Sequence, residues 1–553
     1  MAAAEGSERD APADVVLTGA VVYTADAVGR FADAIALQDG RIAAVGTRRE
    51  VSDLAGPATR VVELDGCMVL PGFQDAHVHP LDGGRTAALC NLHDLSGMEA
   101  YAAAITEYAR THPEAEWILG DGWGMDDFPG GNPTRTQLDE VVDDRPVFLV
   151  NRDGHGAWIN SKALELAGIG RDTPDPPDGR VERDARGDPS GALHEGAMRL
   201  VEDIAPPATL DDWVEALRVS QRRFHSLGIT GWVDARVEPD QLEAYGALER
   251  NGELTGRAVV SLLWDRARGE EQIPELDEMR RAATTERVRA HTVKIFQDGV
   301  AENFTAAMIE PYLDSQGRPS DNAGLSMVEP EALKGYVTSL DRAGFQIHFH
   351  AIGDRAVREA LDAIEAARAA NGPRDARHHI AHLQVVARAD IPRFRTLGVV
   401  ANAQTLWGCA DRQMRELTFP FLGPERSARQ YLWGDFRRAG AVLAFGSDWS
   451  VSTADPLAQI EVALTRVPPD EPDIPPFLPE QRLDLRTALD AFTIGSAYVS
   501  HRDAETGSLE PGKLADIAVV DRDLFADGER PTDASVVLTL VDGRPVYSDP
   551  GVW

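Results

Sequence analysis

His77 and His79, one residue apart, lie in Pro71-Gly-Phe-Gln-Asp-Ala-His-Val-His-Pro80, directly after an apolar run. In a strand, residues i and i+2 point to the same side, so this pair can aim two imidazoles at one divalent ion. A lone His-X-His is a weak signal. Other residues able to ligate metal or move protons recur in the same setting, at the close of short apolar runs. They are Lys294 in Thr-Val-Lys-Ile-Phe-Gln-Asp298, His350 in His348-Phe-His-Ala-Ile-Gly-Asp354, His382 in His378-His-Ile-Ala-His, and Asp448 in Phe445-Gly-Ser-Asp. Lysine is scarce, four residues against fifty-one arginines. Arg serves wherever a simple positive charge is enough, so a retained Lys can mark a need for an amine that loses its proton. The plainer alternatives are a lysine in an ion pair, histidines bonded to backbone carbonyls, and Asp448 as a helix N-cap.

The elements that must bring these groups together are short buried strands alternating with helices. Eight strand candidates follow one another: Gly72–His79, Ile229–Ala235, Ala258–Trp264, Thr292–Gln297, Gln346–His350, His378–Leu383, Val399–Gln404 and Val442–Ser447. Helical patterns fill most of the gaps, most clearly over Arg355–Ala370. Eight such units predict an α/β fold with a (β/α)8 TIM barrel, in which functional side chains gather at the C-terminal ends of the strands. Four histidines, one lysine and one aspartate then converge from five strands. His348 shares strand parity with His350 but sits deeper, which assigns it to the barrel interior, and His378 and His379 begin their strand and read as structural. About 150 residues, 80–228, separate the first two strands; they predict an inserted lobe, about 85–210, with strands of its own such as Val147-Phe-Leu-Val-Asn151. Both chain ends alternate like β-meanders, each around an Asp-Gly turn, Asp39-Gly40 and Asp542-Gly543.

Composition narrows the function classes. The formal net charge is −35, which argues against nucleic acid or an anionic membrane as partner, since phosphate binding relies on Lys and Arg. Cys67, Cys90 and Cys409 show no C-x-x-C spacing, so a reducing cytoplasm is the expected location, and Cys90 and Cys409 read as inert buried thiols. No apolar run reaches transmembrane length, and the first ten residues lack the pattern of a signal peptide.

The chain resembles the amidohydrolase superfamily of metal-dependent hydrolases, most closely its "amidohydrolase 3" branch with the N-substituted formamide deformylase-like enzymes. The resemblance rests on the His77-Val-His79 segment, Arg152-Asp-Gly-His155-Gly-Ala-Trp-Ile-Asn-Ser, the Lys294 segment, His350-Ala-Ile-Gly-Asp, Gly446-Ser-Asp448 and Gly507-Ser-Leu-Glu-Pro-Gly-Lys-Leu-Ala-Asp-Ile-Ala-Val-Val. It implies a distorted barrel carrying a small β-sandwich built from 14–70 plus 505–553, a barrel domain over 71–504, and a disordered stretch at 1–13. It also implies a metal centre, usually zinc, of one or two ions, with another divalent metal left open. His77 and His79 would bind one ion beside Asp448, His350 and His382 the second, and a carboxylated Lys294 would bridge them. An ammonium cannot bind a cation, whereas a lysine carbamate is an anionic oxygen ligand.

On this reading the protein hydrolyses a non-peptide C–N bond in a small amide or N-substituted formamide. Asp448 is the candidate general base, and His155 hydrogen-bonds the substrate carbonyl or oxyanion or else is structural. Trp123, Trp407 and Trp449 line an apolar substrate pocket or belong to the core, as does Trp158. Alternatives are a cyclic amide, carbamate or ester substrate, a deaminase, and a non-catalytic metal-binding relative. Lys294 counts against a deaminase, because the superfamily's deaminases usually lack that bridge. The expected partner is a small-molecule amide-type substrate, with a homodimer left open. Where many members continue Leu-Gly-Ser-Arg-Thr-Ala after the lysine segment, this chain has Val300-Ala-Glu-Asn-Phe-Thr-Ala, so the substrate of any one relative does not transfer.

Overall fold

The computed structural model describes residues 12–553. The stretch expected to be disordered, 1–13, therefore lies outside the described residues except for Pro12 and Ala13, and Ala13 already opens a strand. The chain divides into two compact units. One takes in the residues up to Gln74 together with Arg222–Gly231 and Leu485–Trp553; the other is Asp75–Gln221 with Trp232–Asp484.

The barrel sheet contains Phe73–Val78, Ile229–Val237, Arg257–Leu263, Val288–Phe296, Gln346–Ala351, His379–His382, Val400–Ala403 and Val442–Phe445, adjacent in chain order. Each expected strand is present. The five pairings from the third strand to the eighth are parallel. Phe73–Val78 and Gln346–Ala351 are buried at every residue, the mark of strands covered on both faces. The first and last strands come together through polar contacts. The Asp448 amide donates to the His77 carbonyl at 2.8 Å, and the Ser447 and His77 amides both donate to Asp75 Oδ1 at 3.0 and 3.1 Å. Gly446 permits this approach, since a Cβ there would lie 2.5 Å from the His77 nitrogen. After the fifth strand, the helix Asp354–Asn371 buries Ala356, Val357, Ala360, Leu361, Ala363, Ile364 and Ala367 on one face. Gly353 is its N-cap. Asp354, the first residue of the helix, accepts the Ile309 amide at 2.8 Å.

Between the first two barrel strands lies the inserted lobe, a six-stranded sheet ordered Gly179–Arg183, Pro189–Glu195, Gly156–Ile159, Val147–Asn151, Ile118–Trp123, Cys90–Asn91. Alternation gives it two cores. Val147, Leu149 and Trp158 join Tyr101, Trp123 and Phe128 in one, while Phe148, Ala157 and Ile159 join Leu164, Leu193 and Met198 in the other.

The other unit is the small β-sandwich of both chain ends. Met68–Pro71 pairs antiparallel with Ile517–Val520, joining the ends. Ala13–Tyr23 serves several partners at once: Val15–Thr18 pairs with Arg60–Glu63, and Val21–Val22 pairs with Met68–Val69. The sheet thus wraps one apolar core containing Leu17, Val22, Ile35, Val69, Ile517, Val519 and Leu538. Both Asp-Gly pairs are tight hairpin turns with positive φ at each residue, 50° and 74° at Asp39-Gly40 and 50° and 68° at Asp542-Gly543.

Candidate active site

The residues expected to ligate metal lie at the C-terminal end of the barrel strands. His77 is the penultimate residue of the first strand, and His79 follows its last residue, Val78, held by its amide to the Trp449 carbonyl at 2.8 Å. Asp448 lies opposite both. Its Oδ1 is 3.4 Å from His77 Nε2 and 3.1 Å from His79 Nε2, and its Oδ2 is 3.7 Å from His382 Nδ1. Among the described residues, ligand atoms of His77, His382 and Asp448 lie within 4.8 Å of one another. The His350 ring centre is 4.5 Å from that of His382. His350 Nε2 donates to the Gly299 carbonyl at 3.2 Å, which leaves Nδ1 as the nitrogen with a lone pair for a ligand. Register explains the convergence, because Phe296 pairs with His350 and Ala351 with His382 on adjacent strands.

The donor set fits a divalent cation. His77 Nε2, His382 Nδ1, Asp448 Oδ1 and Lys294 Nζ are all buried with no hydrogen-bond partner among the described residues. Four such orphaned atoms are costly in a folded protein and call for an ion. Imidazole and carboxylate together suit zinc and its neighbours. Burial pushes His77 down to about 3, so it is present as the neutral imidazole that ligation needs. Lys294 is fully buried, and burial pushes its ammonium down to about 7 against the pull of Asp448.

His155 reaches this end of the barrel from the lobe, its ring centre 5.1 Å from that of His350. Sequence reasoning missed its partner. His155 Nδ1 donates to Glu195 Oε2 at 2.9 Å, and Thr305 Oγ1 donates to Glu195 Oε1 at 2.7 Å. Asn303 Nδ2 donates to the His155 carbonyl at 2.9 Å. Burial favours neutral His155, yet the Glu195 carboxylate raises it to about 9. Glu195, His382 and Asp448 also share positive φ, 54°, 77° and 54°. Such backbone costs roughly 1–3 kcal/mol per residue and collects at functional sites.

The tryptophans part company. Trp407 stacks on His382, centroids 5.5 Å apart and planes at 16°. Trp449 packs against Gly83, where a Cβ would meet its ring at 2.7 Å. Trp123 does not line the site. It is 1% exposed in the lobe core, gives its Nε1–H to the Leu149 carbonyl at 2.8 Å and packs on Phe128 and Trp158, because its alternation faces that core. His378 is structural, accepting the Ile347 amide at 3.0 Å and lying 3.3 Å from Asp341.

A family model described as the amidohydrolase family matches residues 60–547. The chain belongs to this family, in its amidohydrolase 3 branch. It is 32% identical over 551 residues to Protein LONG AFTER FAR-RED 3 of Arabidopsis thaliana, covering 97% of this chain and 92% of that one. It is 28% identical over 553 residues to N-substituted formamide deformylase of Arthrobacter pascens, covering 97% and 99%. Among solved structures, a metal-dependent hydrolase from Pyrococcus horikoshii OT3 superposes with a TM-score of 0.73 at 25% identity, over 94% of this chain and 99% of that one. The protein is thus an enzyme of the amidohydrolase family. Among the described residues, no helix is long and apolar enough to cross a membrane.

Proposed function

We propose that this amidohydrolase cleaves the C–N bond of a small N-substituted formamide or related amide. The observation that carries the reading is the meeting of His77, His382 and Asp448, with ligand atoms within 4.8 Å, while His77 Nε2, His382 Nδ1, Asp448 Oδ1 and Lys294 Nζ are all buried without a hydrogen-bond partner among the described residues. His77, His79, His350, His382, Asp448 and a carboxylated Lys294 would hold zinc, as one ion or two, which would supply polarisation of the substrate carbonyl and a more acidic water. Asp448 accepts a proton from the attacking water and returns it to the departing nitrogen. The oxygen adds to the carbonyl carbon, the C–N bond breaks, and a carboxylic acid and an amine leave. His155, held by Glu195, presents its other nitrogen to the developing oxyanion. Trp407 and Trp449 supply apolar walls for the nitrogen substituent.

A panel of N-formyl and N-acyl amines, cyclic amides, carbamates, esters, purines and amidines, assayed by amine, ammonia or acid release with the zinc-loaded enzyme, tests the reading. N-formyl amines should turn over fastest, and activity should vanish on chelation and return with Zn²⁺. Preferential ammonia release from a purine or amidine would replace it with the deaminase alternative. The Glu195 pairing makes its own prediction. Glu195→Ala should lower kcat about 10- to 100-fold, matching the 1–3 kcal/mol of a buried donor left without an acceptor. Glu195→Gln, which keeps an acceptor, should lose less, and metal content should be unchanged in both.

A further inference from the structure

His348 lies two residues before His350 on the fifth barrel strand, pairs in register with Lys294, and has no exposed surface. It touches no solvent and faces the barrel interior below the cluster. Its Nε2 is 2.8 Å from His77 Nδ1, and its Nδ1 is 3.0 Å from Ser261 Oγ on the third strand. Its ring packs against His379 at a tilt of 32°, centroids 4.0 Å apart, and His379 Nδ1 accepts from Asn402 Nδ2 at 3.1 Å. Two hydrogen bonds thus run from the first strand through the fifth to the third, ending on the nitrogen of His77 that faces away from Asp448.

The protons in this line have two consistent arrangements. In one, Ser261 donates to His348 Nδ1, His348 Nε2–H donates to His77 Nδ1, and His77 carries its proton on Nε2. That proton occupies the nitrogen 3.4 Å from Asp448 Oδ1 and blocks it as a ligand. In the other, His77 Nδ1–H donates to His348 Nε2 and His348 Nδ1–H donates to Ser261 Oγ. His77 Nε2 is then a bare lone pair beside Asp448 and His382. Both arrangements hold the same number of protons, and only the second can bind a cation. A ligating histidine commonly gives its second N–H to a carboxylate, a carbonyl or water. Here an uncharged imidazole takes that place.

We infer that His348 is a positioning residue for the metal centre, accepting the Nδ1–H of His77 so that Nε2 is held ready for the ion, with Ser261 completing the line. The inference rests on the metal-centre reading above and concerns metal affinity, so it needs no substrate. The test is equilibrium transfer of Zn²⁺ from the full-length chain to a chromophoric chelator, with folding followed by circular dichroism. His348→Phe keeps the bulk and removes the acceptor, and should weaken Zn²⁺ binding about 10- to 100-fold. His348→Gln, whose amide oxygen can accept the same N–H, should recover most of the affinity. Ser261→Ala should fall between wild type and His348→Phe. Zn²⁺ affinity in folded His348→Phe equal to wild type overturns the inference and leaves the metal reading intact. If His348→Phe does not fold, Ser261→Ala decides: weakened Zn²⁺ binding supports the inference and unchanged binding overturns it. A wild-type chain that takes up no Zn²⁺ overturns both.

Discussion

Asp448→Asn should lower kcat about 10²- to 10⁴-fold while the protein stays folded, the range that a positioned general base contributes. The carboxylate is 4% exposed, and its position is fixed by its amide on the His77 carbonyl and by a left-handed backbone, so the asparagine can occupy the same space. The substitution removes only the ability to take a proton and a share of the negative charge offered to His77 and His79. Steady-state kinetics on the best substrate of the panel, with zinc content measured on the same sample, separates these two effects. Lost turnover with zinc retained places the loss in proton transfer. Lost zinc makes Asp448 chiefly a ligand, and unchanged kcat would remove it from the mechanism.

The framework of this site was legible in the sequence for a physical reason. Barrel strands buried on both faces must be short runs of apolar residues, so polar side chains at their C-terminal ends stand out. His350 follows His-Phe and Asp448 follows Ala-Phe-Gly-Ser, and both were found where the strands end. The fourth strand begins earlier than expected, at Val288 rather than Thr292, because Arg289 and His291 interrupt its apolar run. The lobe was far less legible. Its strands Gly179–Arg183 and Pro189–Glu195 are short and carry Arg, Ser and His, so they lack a hydrophobic signature. Glu195 lies forty residues from His155 in sequence and becomes its neighbour only through strand pairing, in which Gly156 faces His194. Nothing local to either residue announces the pair. Trp123 shows the opposite failure: an aromatic near a strand end reads equally as pocket or core, and only alternation within the assembled sheet decides.

Lys294→Ala should abolish most activity, about 10³-fold or more if the bridge supplies several kcal/mol of transition-state stabilisation, and short-chain carboxylic acids should restore part of it. The lysine is one of four in the chain and has no hydrogen-bond partner at Nζ among the described residues. A buried ammonium in this setting is costly, and burial pushes it down to about 7. Much of the amine is therefore neutral near neutral pH, the form that adds to CO₂. A carbamate there would replace an orphaned donor with an anionic acceptor, matching the cation that His77, His382 and Asp448 would hold. A carboxylic acid diffusing into the space left by Lys294→Ala would present the same two oxygens, so rescue should follow the size of the acid and be absent with alkylamines. Equal rescue by an amine would mean that Lys294 acts as a cation, and full activity without rescue would rule out the bridge. Lys294→Arg should not substitute, because a guanidinium stays charged and cannot take up CO₂.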